Sequence, residues 1–210
     1  MFILSLLQNP LMIIIFLVVL VATISIHEFA HAYTADKLGD PTPSLAGRLT
    51  LNPTAHLDLW GSILFLLVGF GWGKPVPFDP YNLENPRRDA AIISFAGPLS
   101  NIAIALFCSL LLFATAQTDG VHAIVSGILA ITIQLNITLA IFNLLPFAPL
   151  DGFKIVEGLL PEDQAHDWHS LERYGILFLV VMLVPFSGSK SMLELFIFPI
   201  IRNITTILTP

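Results

Sequence analysis

Three residues in one short run, His27, Glu28 and His31 of ATISIHEFAHAYTA at positions 22–35, have the types and spacing to handle a metal ion and a water molecule. Four residues apart on an α-helix, two imidazoles are offset by one turn plus about 40°, close enough to share one ion. Glu28 is turned roughly 100° from His27, so its carboxylate stands beside such an ion without taking a ligand position. HExxH is short and also occurs by chance in soluble helices. Its setting here adds weight, because Pro10 to Ile26 holds no charged residue. Ionisable groups within or next to a membrane helix are costly to place and are by default functional candidates. The competing reading leaves both histidines at the interface, hydrogen-bonded to headgroups or loops.

A third ligand weighs against that reading. NLLPFAPLDGF, 143–153, offers Asp151; Glu157 is an alternative one to two turns further on, and Asp151 is the better placed. Pro146 and Pro149 break the helix there, and irregular backbone at membrane depth is tolerated only where it is buried in protein or lines a water-filled cavity. Two histidines and one carboxylate, with a fourth position left to water, describe a catalytic zinc site rather than a closed structural one. Zinc lowers the pKa of a bound water to about 7, and Glu28 would take that proton and return it to the leaving amine. The metzincin spacing HExxHxxGxxH is excluded, because Thr34 stands where its glycine is required.

The elements that must position these groups follow from composition. At 210 residues, 55% hydrophobic and 11% charged, with a mean hydropathy of +0.82, the chain is too apolar for an ordinary soluble domain. It reads as an all-α polytopic membrane protein in the lipid bilayer, a single domain over 1–210 with its core at about 10–160. A bilayer core about 30 Å thick needs roughly 20 apolar helical residues. That ruler marks helices at 3–26, continuing through the histidines, at 90–116 and at 122–147. Residues 62–71 are too short to cross and end in glycines, which suggests a re-entrant or interfacial segment. The C-terminal region, about 171–208, offers one or two short helices or one broken path over 174–208. The single cysteine, Cys108, has no partner for a disulfide. The net charge of −6, without a dense basic patch, argues against a nucleic-acid partner.

Lysine and arginine set the expected orientation. Lys37, Arg48, Lys74, Arg87 and Arg88 lie between the first two helices and Lys154 and Arg173 after the third, whereas the N-terminus and the QTDG loop carry none. Short basic loops stay cytoplasmic, so the N-terminus is expected outside and the HEFAH end inside. A signal peptide over 1–26 is disfavoured, since it lacks a basic n-region and a clear cleavage site. In this topology the inner ends of the first and third helices share one face, which brings Asp151 to the level of the histidines.

Taken together, HEFAH at 27–31, LAGRLTLNPTAHLDLWG at 45–61, GWGKPVPFDPYNLENPRRD at 71–89, FAGPLSN at 95–101 and NLLPFAPLDG at 143–152 resemble the site-2 protease family of intramembrane zinc metalloproteases, in its small prokaryotic-type form without PDZ or CBS modules. The resemblance implies a three-helix catalytic core, one zinc ion on His27, His31 and Asp151, Glu28 as the catalytic acid/base, and cleavage of peptide bonds within or near the transmembrane helices of substrate proteins. Leu59-Trp60 stands where relatives commonly have a proline after the aspartate, and Phe147-Ala148 replaces a more usual Ile-Pro; neither removes a ligand.

Other polar residues carry weaker expectations. Asn143 is a candidate donor to the substrate carbonyl oxygen as charge builds there, with a helix-capping or interhelical bond as the equal alternative. Asn101, Gln134, Asn136 and Thr138 read as packing contacts between helices. Gly97-Pro98 would loosen or kink its helix. His56 reads as a loop histidine satisfied by backbone, and His122, His166 and His169 as solvated. In GFGWGKPVPFD, Val76 to Phe78 could form a β-edge that holds an unwound substrate as an added strand, which proline substitutions within 69–74 would block. Two non-enzymatic classes compete with the protease. A membrane-segment binding protein has no need of Glu28 beside a metal-bound water, and a metal carrier would spread ionisable groups through its spans.

Overall fold

The computed structural model describes residues 10–68, 73–115, 122–187 and 190–209. Three of its helices are long and apolar enough to cross a membrane: α1 (Pro10–Lys37), α4 (Pro86–Thr115) and α5 (His122–Asn143). Between α1 and α4 lie a single turn, α2 (Thr42–Leu45), and α3 (Leu59–Val68). After α5 come α6 (Asp151–Leu159), α7 (Glu162–His169), α8 (Gly175–Leu183), a small antiparallel hairpin of β1 (Pro185–Ser187) and β2 (Lys190–Ser191), and α9 (Phe198–Leu208). The protein is thus an all-α integral membrane protein, with almost no strand among the described residues.

α4 is the hub, packing against α1, α5 and α6. Its buried positions Ile93, Gly97, Asn101, Ala105, Ser109 and Leu112 recur every three or four residues, one stripe along the helix. Fully buried alanines at 32, 35, 105 and 140 let the spans approach closely. The opposite faces stay apolar and exposed, as at Val18, Phe107 and Leu110, and such an exterior belongs in hydrocarbon rather than water. The C-terminal segment closes one end of the bundle: Leu193 and Ile197, in the helical turn just before α9, and Ile201 within α9 join Ala105, Cys108, Leu112, Ile133 and Ile137 in one cluster. Ser109 Oγ donates to Leu208 O at 2.7 Å there.

Several boundaries differ from the sequence expectation. α1 continues through the histidines to Lys37, while residues 3–9 fall outside the described residues. α4 begins at Pro86, earlier than residue 90, because Pro86 suits a first helical position and Asp89 Oδ2 accepts from Asn85 N at 2.9 Å. α5 ends at Asn143 rather than 147, since Pro146 disfavours helical geometry in the residue before it. The segment 62–71 begins within α3, ten residues or about 15 Å long and too short to span, and residues 69–72 fall outside the described residues. The C-terminal region resolves into two short helices separated by the β1–β2 hairpin.

The loop after α1 is pinned to the residues that lead into α4. Asp40, wholly buried, accepts from Thr42 N at 3.0 Å, Thr42 Oγ1 at 2.5 Å, Asp79 N at 2.7 Å and Asn82 Nδ2 at 2.8 Å. Gly73 makes an isolated antiparallel bridge with Leu57, and Lys74 N donates to His56 O at 2.7 Å. From there to Asp79 the chain forms no regular strand.

Candidate metal centre

On α1, Thr23, His27 and His31 follow at intervals of four and are all buried. They face the stripe of α4 that carries Ile93, Gly97 and Asn101. His31 Nδ1 lies 2.7 Å from the carbonyl oxygen of Ile93, and His27 Nδ1 lies 2.6 Å from Asn101 Oδ1. Both partners are oxygens that accept, so each imidazole holds its proton on Nδ1 and leaves a bare lone pair on Nε2. The two Nε2 atoms are 3.0 Å apart, and Asp151 Oδ2 completes a triangle at 3.2 Å from His27 and 3.3 Å from His31.

Three acceptor atoms therefore point at one another. Asp151 Oδ2 is buried without a hydrogen-bond donor, and lone pairs so arranged repel unless a cation lies among them. Tetrahedral zinc with bonds of 2.0–2.2 Å sets its donor atoms about 3.3–3.5 Å apart, within a few tenths of the triangle's edges. Among the described residues these three side chains form the one group of histidine, cysteine, aspartate or glutamate able to meet at a single ion.

Two glycines permit the convergence. A Cβ built on Gly97 would stand 2.5 Å from His31 Cε1 and 2.6 Å from His27 Cε1, so α4 reaches the imidazoles only because that position has no side chain. A Cβ on Gly152 would strike the carbonyl oxygens of Leu144 and Leu145. The chain leaving α5 reverses through 144–150, with bonds from Phe147 N to Leu145 O and Leu150 N to Phe147 O, each 2.8 Å. α6 then begins against that turn, and Asp151 in its first turn is carried back to α1. The Ala148–Pro149 peptide bond is cis.

Of the other sequence candidates, Glu28 is partly buried on α1 between the two histidines. Asn143 Nδ2 donates to Leu139 O at 3.0 Å, a bond within its own helix. Glu157 turns to His169, with Oε1 3.1 Å from Nδ1, so its carboxylate is engaged between α6 and α7 rather than in the triangle. His169 is accordingly paired rather than merely solvated. His56 is fully buried and meets Thr50 O at 2.8 Å through Nε2. Gln134 is exposed and does not pack between helices.

Asn101 and Asn136 do bond across the α4–α5 interface, at 2.9 Å, yet sequence reasoning missed that Asn101 also reaches His27. The available signal was the interval of four shared by Gly97 and Asn101 with His27 and His31. Two facing stripes of equal period meet at every turn.

A family model described as Peptidase family M50 matches residues 15–119 and 113–184. This chain belongs to that family. Among relatives, "Putative zinc metalloprotease YwhC" of Bacillus subtilis (strain 168) is 40% identical over 207 residues, covering 90% of this chain and 94% of its own. "Putative zinc metalloprotease Rip2" of Mycobacterium tuberculosis (strain H37Rv) is 32% identical over 170 residues, 77% of this chain, which spans 63% of Rip2. No solved structure matches. Membership of the M50 family and these relatives support the site-2 protease resemblance and make the chain a zinc metalloprotease, with a His-His-Asp triangle suited to that metal.

Proposed function

We propose that this M50 member is an intramembrane endopeptidase that hydrolyses peptide bonds within or near the transmembrane segments of other membrane proteins. In this reading His27, His31 and Asp151 hold one zinc ion and Glu28 is the catalytic acid/base. The observation that carries the proposal is where the triangle sits. His27 and His31 lie inside a span, about 15 and 9 Å of helix short of its end at Lys37. A water-handling site at that depth has little purpose unless the scissile bond is there too.

When bound, zinc would polarise the substrate carbonyl and acidify a water molecule. The remaining work falls to the chain. Asn101 and the Ile93 carbonyl fix both imidazoles with Nε2 free. Glu28, on the same helix and free of the ligand set, takes the water's proton and passes it to the leaving amine. Asn143 spends one N–H on Leu139 O. Its amide has a second N–H, which supports a role as donor to the substrate carbonyl oxygen. The Gly73–Leu57 bridge and the bond from Lys74 N to His56 O support an edge there, and Val76 to Phe78 after it is where an unwound substrate segment would add as a strand. The basic loops share the site's end of the bundle, so this end faces the cytoplasm.

The test is Glu28→Gln in the purified full chain, assayed on a helical reporter substrate with bound zinc measured in parallel. Cleavage falling by about 10²-fold or more at unchanged zinc content is expected. Equal cleavage would remove the mechanism.

A further inference from the structure

A chain of amides runs from His27 away from the metal centre, and its polarity is fixed at the far end. Asn136 lies 2.9 Å from the carbonyl oxygen of Thr132 on its own helix. A carbonyl oxygen only accepts, so the side-chain atom facing it is Nδ2, which also lies 3.1 Å from Thr23 Oγ1. Asn136 Oδ1 must then face Asn101, and it can only accept. Asn101 therefore presents Nδ2 to it at 2.9 Å and turns Oδ1 to His27 Nδ1 at 2.6 Å. That oxygen requires an N–H, so His27 is held as the Nδ1-protonated tautomer with Nε2 bare. Asn101 and Asn136 are both fully buried, so water does not offer either amide an alternative partner.

We infer that Asn136, on a different helix from His27 and hydrogen-bonded to Asn101 rather than to it, is a positioning residue: it sets the orientation of the Asn101 amide and thereby the tautomer with which His27 meets the metal. Without it the Asn101 amide is free to turn over and put an N–H donor against Nδ1. His27 would then place its proton on Nε2, where it blocks the ion. The dependence is directional. Asn101 acts on His27 directly, Asn136 acts only through Asn101, and Thr23 and the Thr132 carbonyl act only through Asn136. This inference rests on the reading of the triangle as the zinc site.

The experiment uses the detergent-solubilised full chain with ¹⁵N-labelled histidine, and reads zinc affinity by chelator competition together with the ring-nitrogen shifts of His27 in the metal-free protein. Asn101→Leu is expected to weaken zinc by about 10–100-fold, the usual cost of removing a partner of a ligating histidine. Asn136→Leu should weaken it less and give His27 a mixture of tautomers. The double variant should bind zinc as Asn101→Leu does, because both changes cut one chain. Additive losses, or a His27 that keeps a single Nδ1-protonated tautomer in Asn136→Leu, would overturn the inference. Asn136→Gln, able to rebuild the bond to Asn101, guards against misfolding: recovery of zinc affinity supports the relay, and weak binding with a wild-type His27 tautomer refutes it. Wild-type protein that binds no zinc at all would instead sink the proposed function.

Discussion

The space that a side chain at position 97 would need is occupied by the imidazole of His31, whose Cε1 lies 2.5 Å from where a Cβ on Gly97 would be. In an ordinary helix interior, Gly to Ala stabilises by about 0.5–1 kcal/mol. Here the added methyl meets two imidazoles, each tied at Nδ1 and unable to swing aside without losing a buried hydrogen bond. Gly97→Ala should keep its helical circular dichroism but bind zinc at least about tenfold more weakly, comparable with the loss of a ligand's orienting partner. Zinc titration decides the point, and wild-type affinity would mean that α1 and α4 part easily at this level.

The three facing lone pairs also predict how the fold responds to metal. Anything that binds the folded state alone stabilises it, by about 2.7 kcal/mol at a free concentration 100 times Kd. Zinc should therefore raise the thermal unfolding midpoint of the detergent-solubilised protein, and chelation should lower it together with peptidase activity. The rise should vanish in Asp151→Ala, which opens the triangle. A midpoint indifferent to zinc in the wild-type chain would argue that the ion is held elsewhere.

Sequence alone leaves Glu157 as a competitor for the third ligand. The structure gives its carboxylate a partner in His169, while Asp151 Oδ2 has no donor. Asp151→Ala should accordingly abolish stoichiometric zinc binding and cleavage. Glu157→Ala should retain both to within a few-fold, since its carboxylate bonds the exposed His169 and takes no part in the triangle. Metal analysis of the two purified variants separates the alternatives, and a reversed pattern would move the site to α6's second turn.

The juxtaposition of His27, His31 and Asp151 was legible because two strong signals coincide. Helical spacing fixes the histidines, and a three-span topology returns the end of α5 to the same side. The overlong third helix followed from counting apolar residues past Asn143, where the turn at 144–150 is as apolar as the helix it ends. α7 and the β1–β2 hairpin are set by local bonding that hydropathy does not register. Asn101 and Asn136 read from sequence as interhelical contacts, and they bond each other across the α4–α5 interface. The reach of Asn101 to His27 depends on the rotation of α4 about its axis, a quantity held by Gly97 against the imidazoles and by no single segment's composition.

The loop that follows α1 should give the protein a pH-dependent stability with a definite sign. Burial pushes the Asp40 carboxyl up, but hydrogen bonds from Thr42, Asn82 and Asp79 outweigh it and hold the group below the usual carboxylate range. A pKa depressed in the folded state contributes stability that is present above the unfolded value, about 3.9, and is lost as pH falls through the folded value. Asp40→Asn replaces one accepting oxygen by a donor that faces donors, at a cost of about 1–3 kcal/mol near neutrality. Its unfolding midpoint should lie several degrees below wild type at pH 7. The gap should hold down to about pH 4 and narrow only below it, as the wild-type carboxylate takes up its proton. A gap that widens on acidification would show that the charge on Asp40 destabilises the loop and that the hydrogen bonds at Thr42, Asp79 and Asn82 do not favour the ionised form.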